Sequence, residues 1–240
     1  MMAEPEQLRY QHDIVKIAID NDEQQHSIIE GNLTLPNTTI DAKGTVMFAH
    51  GSGSSRHSSR NQYVARVLNN AGIATLLIDL LTKEEEKIDD MTREYRFNIR
   101  LLAKRLLIST DWLSQYPKLR NLNIGYFGAS TGAAAALVAA SERTNAISAV
   151  VSRGGRPDLA GQEVLNHIQS PTLLIVGEND KQVVQLNEQA LKQLGRLEKK
   201  KKMVIVPGAT HLFEEAGALE EVARLASGWF ECFFMEKRKA

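Results

Sequence analysis

The chain has almost no cysteine. Its 240 residues include a single one, Cys232. One cysteine excludes an intramolecular disulfide framework and any zinc or redox motif that needs two cysteines close together. We therefore expect a protein from a reducing compartment. A domain of this length buries about 70–75% of its unfolded surface, so its core can hold it together without cross-links.

Long hydrophobic runs and an excess of one charge are also missing. The most apolar segment, residues 133–140, is far shorter than the roughly 20 residues of a membrane-spanning helix. The first ten residues contain acids where a secretory signal would have an apolar core. The 29 basic and 29 acidic residues cancel, which gives no electrostatic reason to expect a nucleic acid or an anionic membrane as partner. We expect a cytoplasmic protein with neither partner.

No stretch rich in proline, glycine or serine is long enough to separate two domains, so we expect one domain over residues 1–240. Short apolar segments alternate with segments of helical periodicity. The candidate strands are residues 13–19, 27–35, 45–50, 73–79, 123–128, 146–152, 171–177 and 202–208. The first two alternate apolar and polar residues, as a half-exposed antiparallel pair does, and the later ones are almost continuously apolar, as buried parallel strands are.

Candidate helices lie between most of these strands, at residues 60–72, 97–116, 130–143, 181–195 and 218–238. Alternating strands and helices predict an α/β fold, a mostly parallel, doubly wound sheet of about eight strands with helices on both faces. Residues 80–95 are the least regular stretch. We expect a loop there, over one face of the sheet. Its charged residues 83–90 are expected to form a solvated surface, and a mobile lid is the alternative.

A serine lies at the junction of a candidate strand and a candidate helix. Residues 128–132 read GASTG, which matches the pattern G-x-S-x-G with Gly128, Ser130 and Gly132. In a nucleophile elbow the serine occupies a tight, strained turn, and small neighbours are needed because strand and helix come close together. The turn also places the hydroxyl near the helix N-terminus, which favours negative charge. Ser130 is therefore the predicted nucleophile; the alternative is a serine that only caps the helix.

A serine hydroxyl needs a base to take its proton, and the elbow arrangement predicts an acid and then a histidine later in the chain. His211 follows the last candidate strand, where a doubly wound sheet builds its site; His167 lies in a helical segment. We predict His211 as the base. Asp180 is the preferred acid to orient its ring, with Glu178 and Asp158 as competitors.

An oxyanion hole is the third requirement. One donor is expected from the amide of Thr131, and the other from the loop after the third strand, at Gly51 or Ser52. The competing interpretation of that loop is phosphate binding, but it lacks the Lys-Ser/Thr ending of a P-loop.

Taken together, these segments resemble the α/β-hydrolases, and more narrowly their dienelactone-hydrolase-like branch. The resemblance covers roughly residues 44–215, and HGSGSSRHS and SRGGRPDLA are its more particular segments. Members of this branch are described as hydrolases or carboxylesterases, some of them fused to phosphoribosyltransferases. Dienelactone hydrolases proper use a cysteine nucleophile. The serine at position 130 makes a general ester a better expectation than a dienelactone.

Two further residues are predicted on the substrate side of the site, Arg153 and His50. The guanidinium of Arg153 or of nearby Arg156 matches a substrate carboxylate; the alternative is an ion pair that anchors their loop, for example to Asp158. Asp79 is expected to support the loop that carries His50. The aromatic residues of the last helix are expected in the core, although some of them could form a homodimer face.

The sequence thus predicts a serine hydrolase that cleaves carboxylic esters through an acyl-serine intermediate. The expected partner is a small-molecule ester, and no metal or organic cofactor is implied. Two alternatives stay open. One is an acyltransferase that uses the same three side chains, and the other is a non-catalytic binding protein on the same fold.

Overall fold

The structure, a computed structural model, describes residues 10–19, 27–36, 42–194 and 200–237. Eight strands in these ranges form one sheet in the order β1-β2-β4-β3-β5-β6-β7-β8. The strands are β1 (Tyr10–Ala18), β2 (Ile28–Pro36), β3 (Thr45–Ala49), β4 (Ala74–Ile78), β5 (Ile124–Ala129), β6 (Ile147–Arg153), β7 (Thr172–Gly177) and β8 (Lys201–Val206). β2 is antiparallel to β1 and to β4, and the other neighbours are parallel.

Burial explains the two sequence patterns of the strands. Every residue of β3, β4, β5, β6 and β7 is buried, because helices cover both faces of the sheet there. β2 alternates buried and part-exposed residues, as the predicted antiparallel pair should. β8 is only partly buried and forms one edge of the sheet, and it begins with Lys201 and Lys202, which discourage pairing with another chain.

The helices are α1 (Ser59–Asn70), α2 (Lys83–Thr92), α3 (Ile99–Gln115), α4 (Thr131–Glu142), α5 (Gln162–His167), α6 (Lys181–Gln193) and α7 (Ala218–Lys237), and a short 3-10 helix spans Pro157–Ala160. α1 and α7 pack together over one face, and α3 and α4 over the other. The predicted α/β-hydrolase arrangement is confirmed. No helix in the described ranges has the length and apolarity needed to cross a bilayer.

The expectation of a loop over residues 80–95 is wrong, because α2 lies within it. Thr82 caps the helix: its side chain accepts a hydrogen bond from the Glu85 amide, and the Glu85 side chain accepts one from the Thr82 amide. Thr82 and Glu85 form the T-x-x-E pattern of a capping box. That local signal was present in the sequence. Arg93 ends the helix in the left-handed conformation.

The aromatic side chains of α7 lie mostly in the core, as expected. Phe230 and Phe234 are fully buried and Phe233 is nearly so, and Trp229 is part-buried against the same cluster. The ring of Phe230 faces Gly125 of β5 so closely that a Cβ at that position would collide with it. The three phenylalanines therefore hold α7 against the sheet and are not available as a dimer face.

Candidate active site

Ser130 occupies a strained turn between β5 and α4. Its backbone has φ 51° and ψ −120°, a combination that costs a non-glycine residue free energy and is seen mainly at functional sites. The surrounding structure holds it there: the Ser130 amide donates to the Arg153 carbonyl, and the Ser130 carbonyl accepts from the amides of Ala133 and Arg156. Its side chain makes no capping hydrogen bond to α4, so the capping alternative does not describe this serine.

The two glycines of the motif are there because strand and helix nearly touch. A Cβ on Gly128 would collide with the backbone of Ala133 in α4, and a Cβ on Gly132 would collide with the carbonyl oxygens of Ala49 and His50 at the end of β3. Any side chain at either position would push the elbow away from the sheet. The spacing of the motif is thus a steric requirement.

His211 and Asp180 are in direct contact. His211 Nδ1 lies 2.6 Å from Asp180 Oδ2, a short distance for a hydrogen bond between a ring nitrogen and a carboxylate. Asp180 stands at the N-cap position of α6 but makes no capping bond there. Its carboxylate orients the imidazole instead.

Hydrogen bonds tie the segments that carry this pair to each other. The Asn179 amide donates to the Ala209 carbonyl, and the Asn179 side chain donates to the Gly208 carbonyl. The His211 loop then passes beside the elbow, since a Cβ on Gly154 would lie 3.5 Å from His211 Cε1. Gly154 directly follows Arg153, whose carbonyl accepts the Ser130 amide. The imidazole is therefore held at the same end of the sheet as the serine.

The competing acid and base residues have other partners. Glu178 accepts the Gly208 amide, and Asp158 pairs with Arg156 through two hydrogen bonds. His167 lies in α5 and its ring contacts the Glu163 carbonyl. Asp158 thus serves as a loop anchor, but its partner is Arg156 and not Arg153.

The three backbone amides predicted as oxyanion donors are unpaired within the described part of the chain. The amides of Gly51, Ser52 and Thr131 make no hydrogen bond to any described residue. Gly51 packs directly against the elbow, since a Cβ there would lie 3.1 Å from the Ser130 Cβ. The structure places Gly51 against Ser130, and Thr131 directly follows Ser130 in the chain. The choice between Gly51 and Ser52 as second donor stays a prediction.

Neither ring nitrogen of His50 is free for a substrate. Nε2 accepts a hydrogen bond from the Leu80 amide, and Nδ1 lies 2.9 Å from the Gly51 carbonyl. Because Nε2 accepts, Nδ1 carries the proton and donates it. Burial lowers the pKa of the His50 imidazole, against smaller opposing effects of the Gly51 carbonyl and of Asp79. His50 therefore positions the oxyanion loop and is uncharged.

Asp79 supports this loop, as predicted, and its partner Arg56 was missed. The Asp79 carboxylate accepts the Arg56 amide and pairs with the Arg56 guanidinium, which also binds Glu30. These three residues join the loop to β2 and β4. No local sequence signal pairs them, because they lie more than 20 positions apart in the chain.

Arg153 is buried and has no carboxylate partner among the described residues. Its guanidinium donates to the Asn61 side chain and lies 5.8 Å from the centre of the Phe213 ring. Burial, with a smaller contribution from neighbouring Arg60, lowers the pKa of Arg153 to about 10. Its predicted contact with a substrate carboxylate stays a prediction. In the described ranges, no group of three or more His, Cys, Asp or Glu side chains is arranged to hold a metal ion.

Comparison with known proteins gives a consistent result at the level of the family. A model of the dienelactone hydrolase family matches residues 29–233. A crystal structure of a dienelactone hydrolase from Anabaena variabilis is 55% identical, covers 94% of this chain and 99% of its own, and superposes with a TM-score of 0.86. The Butyrivibrio proteoclasticus protein Est1E with bound ferulic acid has a TM-score of 0.75 over 92% of this chain and 99% of its own, at 17% identity; it shares the fold.

Two curated Mycobacterium tuberculosis proteins, each named "Putative phosphoribosyl transferase", are 55% identical over 202 residues. The match covers 84% of this chain and 43% of each relative. The chain thus spans less than half the length of the curated relatives that it matches.

Proposed function

This chain belongs to the dienelactone hydrolase family, and from that premise we propose that it is a serine hydrolase that cleaves carboxylic esters. The activity would proceed through an acyl-serine intermediate on Ser130. The substrate would be a small-molecule ester, in the cytoplasm. No residue at the proposed site calls for a metal or an organic cofactor, since serine, histidine and backbone amides supply nucleophile, base and charge stabilisation.

One observation carries this proposal: the 2.6 Å contact between His211 Nδ1 and Asp180 Oδ2, at the same end of the sheet as a serine held at φ 51°. A binding protein has no use for a strained serine and an oriented imidazole at one end of a sheet. Strain of this kind persists only where the surrounding structure imposes it.

The chemistry follows from the orientation of the imidazole. Asp180 accepts a hydrogen bond from the protonated Nδ1 of His211, which leaves Nε2 unprotonated and able to accept the proton of the Ser130 hydroxyl. Ser130 Oγ attacks the ester carbonyl as that proton moves to His211. The imidazolium is stabilised by Asp180 and then returns the proton to the leaving alcohol. Water then attacks the acyl-serine while His211 takes a proton from it, and the protonated His211 returns that proton to Ser130 Oγ as the acid leaves.

Charge on the carbonyl oxygen is stabilised by backbone amides. The Thr131 amide is one donor, and the amide of Gly51 or Ser52 is the other. They act at the N-terminus of α4, where the helix dipole also favours negative charge. Losing one such donor costs about 3–4 kcal/mol of transition-state stabilisation in enzymes of this kind.

Acyl transfer and ligand binding without catalysis are the alternatives. Transfer would use the same side chains, with an alcohol or an amine in place of water. Products formed in the presence of competing nucleophiles separate it from hydrolysis. No feature of the described site excludes water, so hydrolysis is preferred.

Labelling with a fluorophosphonate tests the proposal, followed by mass mapping of the adduct and by turnover of short p-nitrophenyl esters. We expect one adduct on Ser130 in the wild type. Ser130→Ala should lose both the label and several orders of magnitude of turnover. Ser141→Ala is the matched control, because Ser141 lies at the far end of α4 and donates only to the Val138 carbonyl.

The proposal is wrong if the folded wild type is neither labelled nor active on any ester. A label on another serine would contradict the role of Ser130 while leaving a hydrolase activity possible. Retained turnover in Ser141→Ala shows that the loss in Ser130→Ala does not come from a general disturbance of α4.

A further inference from the structure

A cavity opens directly beside the proposed oxyanion donors. It has a volume of about 160 Å³ and lies between the loop of residues 50–55 and helix α2. Its lining includes Thr131 and Gly51 and also Glu86, Asp90 and Arg96. We call this space the α2 cavity. A hydrophobic cavity of about 150 Å³ accommodates a benzene ring, so the α2 cavity has room for a small substituent of an ester bound at Ser130.

Carboxylates dominate the charge around the α2 cavity. Four of them line it: Asp79, Glu86, Asp89 and Asp90. Arg96 is the one arginine or lysine among its described lining residues.

The two arginines that contact these carboxylates, Arg96 and Arg56, are already paired. Arg96 binds Asp89 at 2.6 Å and reaches Asp90 at 3.5 Å. Arg56 pairs with Asp79 from outside the cavity. Glu86 forms no ion pair with any described residue. The cavity is therefore net negative, and it offers a carboxylate ligand no free cation.

Residues with hydroxyl groups also line the cavity. Thr131 is buried, and its Oγ1 has no hydrogen-bond partner among the described residues. A buried hydroxyl without a partner is uncommon and needs an explanation. Ser52 and Ser54 also line the cavity. The Thr131 hydroxyl can donate or accept a hydrogen bond, so a polar substituent of the substrate could satisfy it. Selection against a carboxylate comes from the charge of the lining residues alone.

Hydrogen bonds and an ion pair hold α2, and its carboxylates, in place. Asp89 is buried in the helix and accepts the amides of Tyr95 and Arg96, and the Glu85 side chain, besides capping the helix, pairs with Arg105 of α3. These bonds hold the helix, and with it Glu86, over the oxyanion loop. The acidic residues of α2 that line the cavity are thus fixed to the core through the contact of α2 with α3.

We infer that the α2 cavity is a specificity subsite that receives one arm of the ester, selects a small ammonium or hydroxyl substituent and rejects a carboxylate. This inference rests on the proposed function, since it names the substrate class of the same site. Cationic esters should be preferred over neutral ones of equal size, and neutral over anionic ones. Electrostatic selection of this kind weakens as salt rises.

Matched esters that differ only in charge test the inference. In the alcohol arm these are acetylcholine, its uncharged carbon isostere, and the acetate of a sulfonated alcohol. In the acyl arm they are the phenyl esters of an aliphatic acid, of its trimethylammonio derivative and of its carboxylate-terminated analogue. We expect kcat/KM to be at least about tenfold higher for the cationic ester than for the anionic ester in one of the two arms. This corresponds to about one power of ten in affinity.

Two variants on one helix locate the source of the preference. Glu86→Gln should reduce the cation-to-anion ratio severalfold. Glu84→Gln, which makes the same charge change two residues away and does not line the cavity, should leave the ratio as it is. The hydroxyl of Thr131 is tested by the ratio of hydroxylated to unsubstituted ester: Thr131→Val should lower this ratio and Thr131→Ser should restore it.

Each outcome has a separate meaning. Equal rates in both arms, a preference for the anionic esters, or a ratio unchanged in Glu86→Gln would overturn the subsite. Absence of turnover on every ester, together with an unlabelled Ser130, would instead contradict the proposed hydrolase activity. Turnover without charge selection leaves that activity standing and removes only the subsite.

Discussion

Asp180 and Glu178 are close in the chain but have different hydrogen-bond partners. They lie two positions apart in the turn after β7, yet Asp180 contacts His211 and Glu178 accepts the amide of Gly208. Asp158, the third carboxylate considered, binds Arg156. Only one of the three acids therefore orients the imidazole.

Replacing Asp180 by asparagine should abolish most of the activity without unfolding the protein. An amide donates where the carboxylate accepts, so it favours the wrong tautomer of His211. The corresponding change in serine proteases lowers kcat by about four orders of magnitude, and we expect a loss of similar size. Steady-state rates on a p-nitrophenyl ester, with circular dichroism as a folding control, provide the measurement.

Glu178→Gln and Asp158→Asn are the matched controls for this substitution. Each removes one carboxylate of the same region but keeps a side-chain oxygen that can accept. Both variants should retain most of the wild-type rate. If either lost activity as severely as Asp180→Asn, the assignment of the orienting acid would fail.

Among the secondary-structure elements, the contact of α4 with β3 and β5 sets the geometry of the elbow. The helix comes so close to the strands that Gly132 faces two carbonyl oxygens at the end of β3. Gly228, in the exposed face of α7, has nothing within 4 Å of a Cβ built on it. The two glycines therefore differ in what a methyl group would meet.

Gly132→Ala should destabilise the protein strongly, because the added Cβ collides with backbone that cannot move aside. Gly228→Ala should do the opposite, and raise the free energy of unfolding by about 0.5–1 kcal/mol, since alanine loses less conformational entropy in a helix. Thermal unfolding of both variants checks the pair. A Gly132→Ala protein as stable as the wild type would show that the elbow is less tightly packed than described.

The capping box of α2 is the second feature at this scale. Thr82→Ala removes the side-chain oxygen that accepts the Glu85 amide and should lower stability by about 1 kcal/mol. We expect faster amide hydrogen exchange in residues 83–92, since the helix end loses a partner. Thr82→Ser keeps a capping oxygen and is the control. Equal exchange rates in Thr82→Ala and wild type would contradict the importance of the cap.

For the molecule as a whole, His50 couples stability to pH. Its imidazole is buried and neutral, and burial lowers its pKa below the ordinary value of 6.5. The unfolded chain takes up a proton near 6.5, while the folded chain does so only at lower pH. Between those two pH values the unfolded state therefore binds more protons than the folded state, so the free energy of unfolding decreases as the pH falls below 6.5. Above pH 6.5 the imidazole is neutral in both states, and this loss of stability is absent.

We expect the free energy of unfolding of the wild type to decline between pH 7 and pH 5.5, with a slope of up to about 1.4 kcal/mol per pH unit for one proton. His50→Gln has no titrating ring at this position, so its slope should be shallower, whatever its absolute stability. Urea unfolding at several pH values measures both slopes. Identical slopes would show that another group controls the dependence.

The alternating and the continuous apolar patterns of the strands were sufficient to predict the fold class. They predicted the antiparallel β1–β2 pair and the buried parallel strands, since side-chain periodicity reports directly on which faces are covered. The helix α2 was not predicted, although Thr82 and Glu85 carry its capping signal, because its many charged residues resemble a solvent-exposed loop. Asp89, the buried residue of this helix, pairs with Arg96. The amino-acid composition of the segment does not indicate that pairing.

For the site, the sequence by itself determined what local sterics and chain order require. The motif around Ser130 predicted a strained turn, because only small residues permit the approach of α4 to the strands, and His211 and Asp180 follow in the order that the elbow demands. The tertiary structure alone decided that both nitrogens of His50 are used, that Arg153 is buried without a carboxylate beside it, and that carboxylates face the α2 cavity. These are contacts between segments distant in the chain. Their distances follow from the packing of the whole sheet and its helices, and local secondary-structure propensity does not predict them.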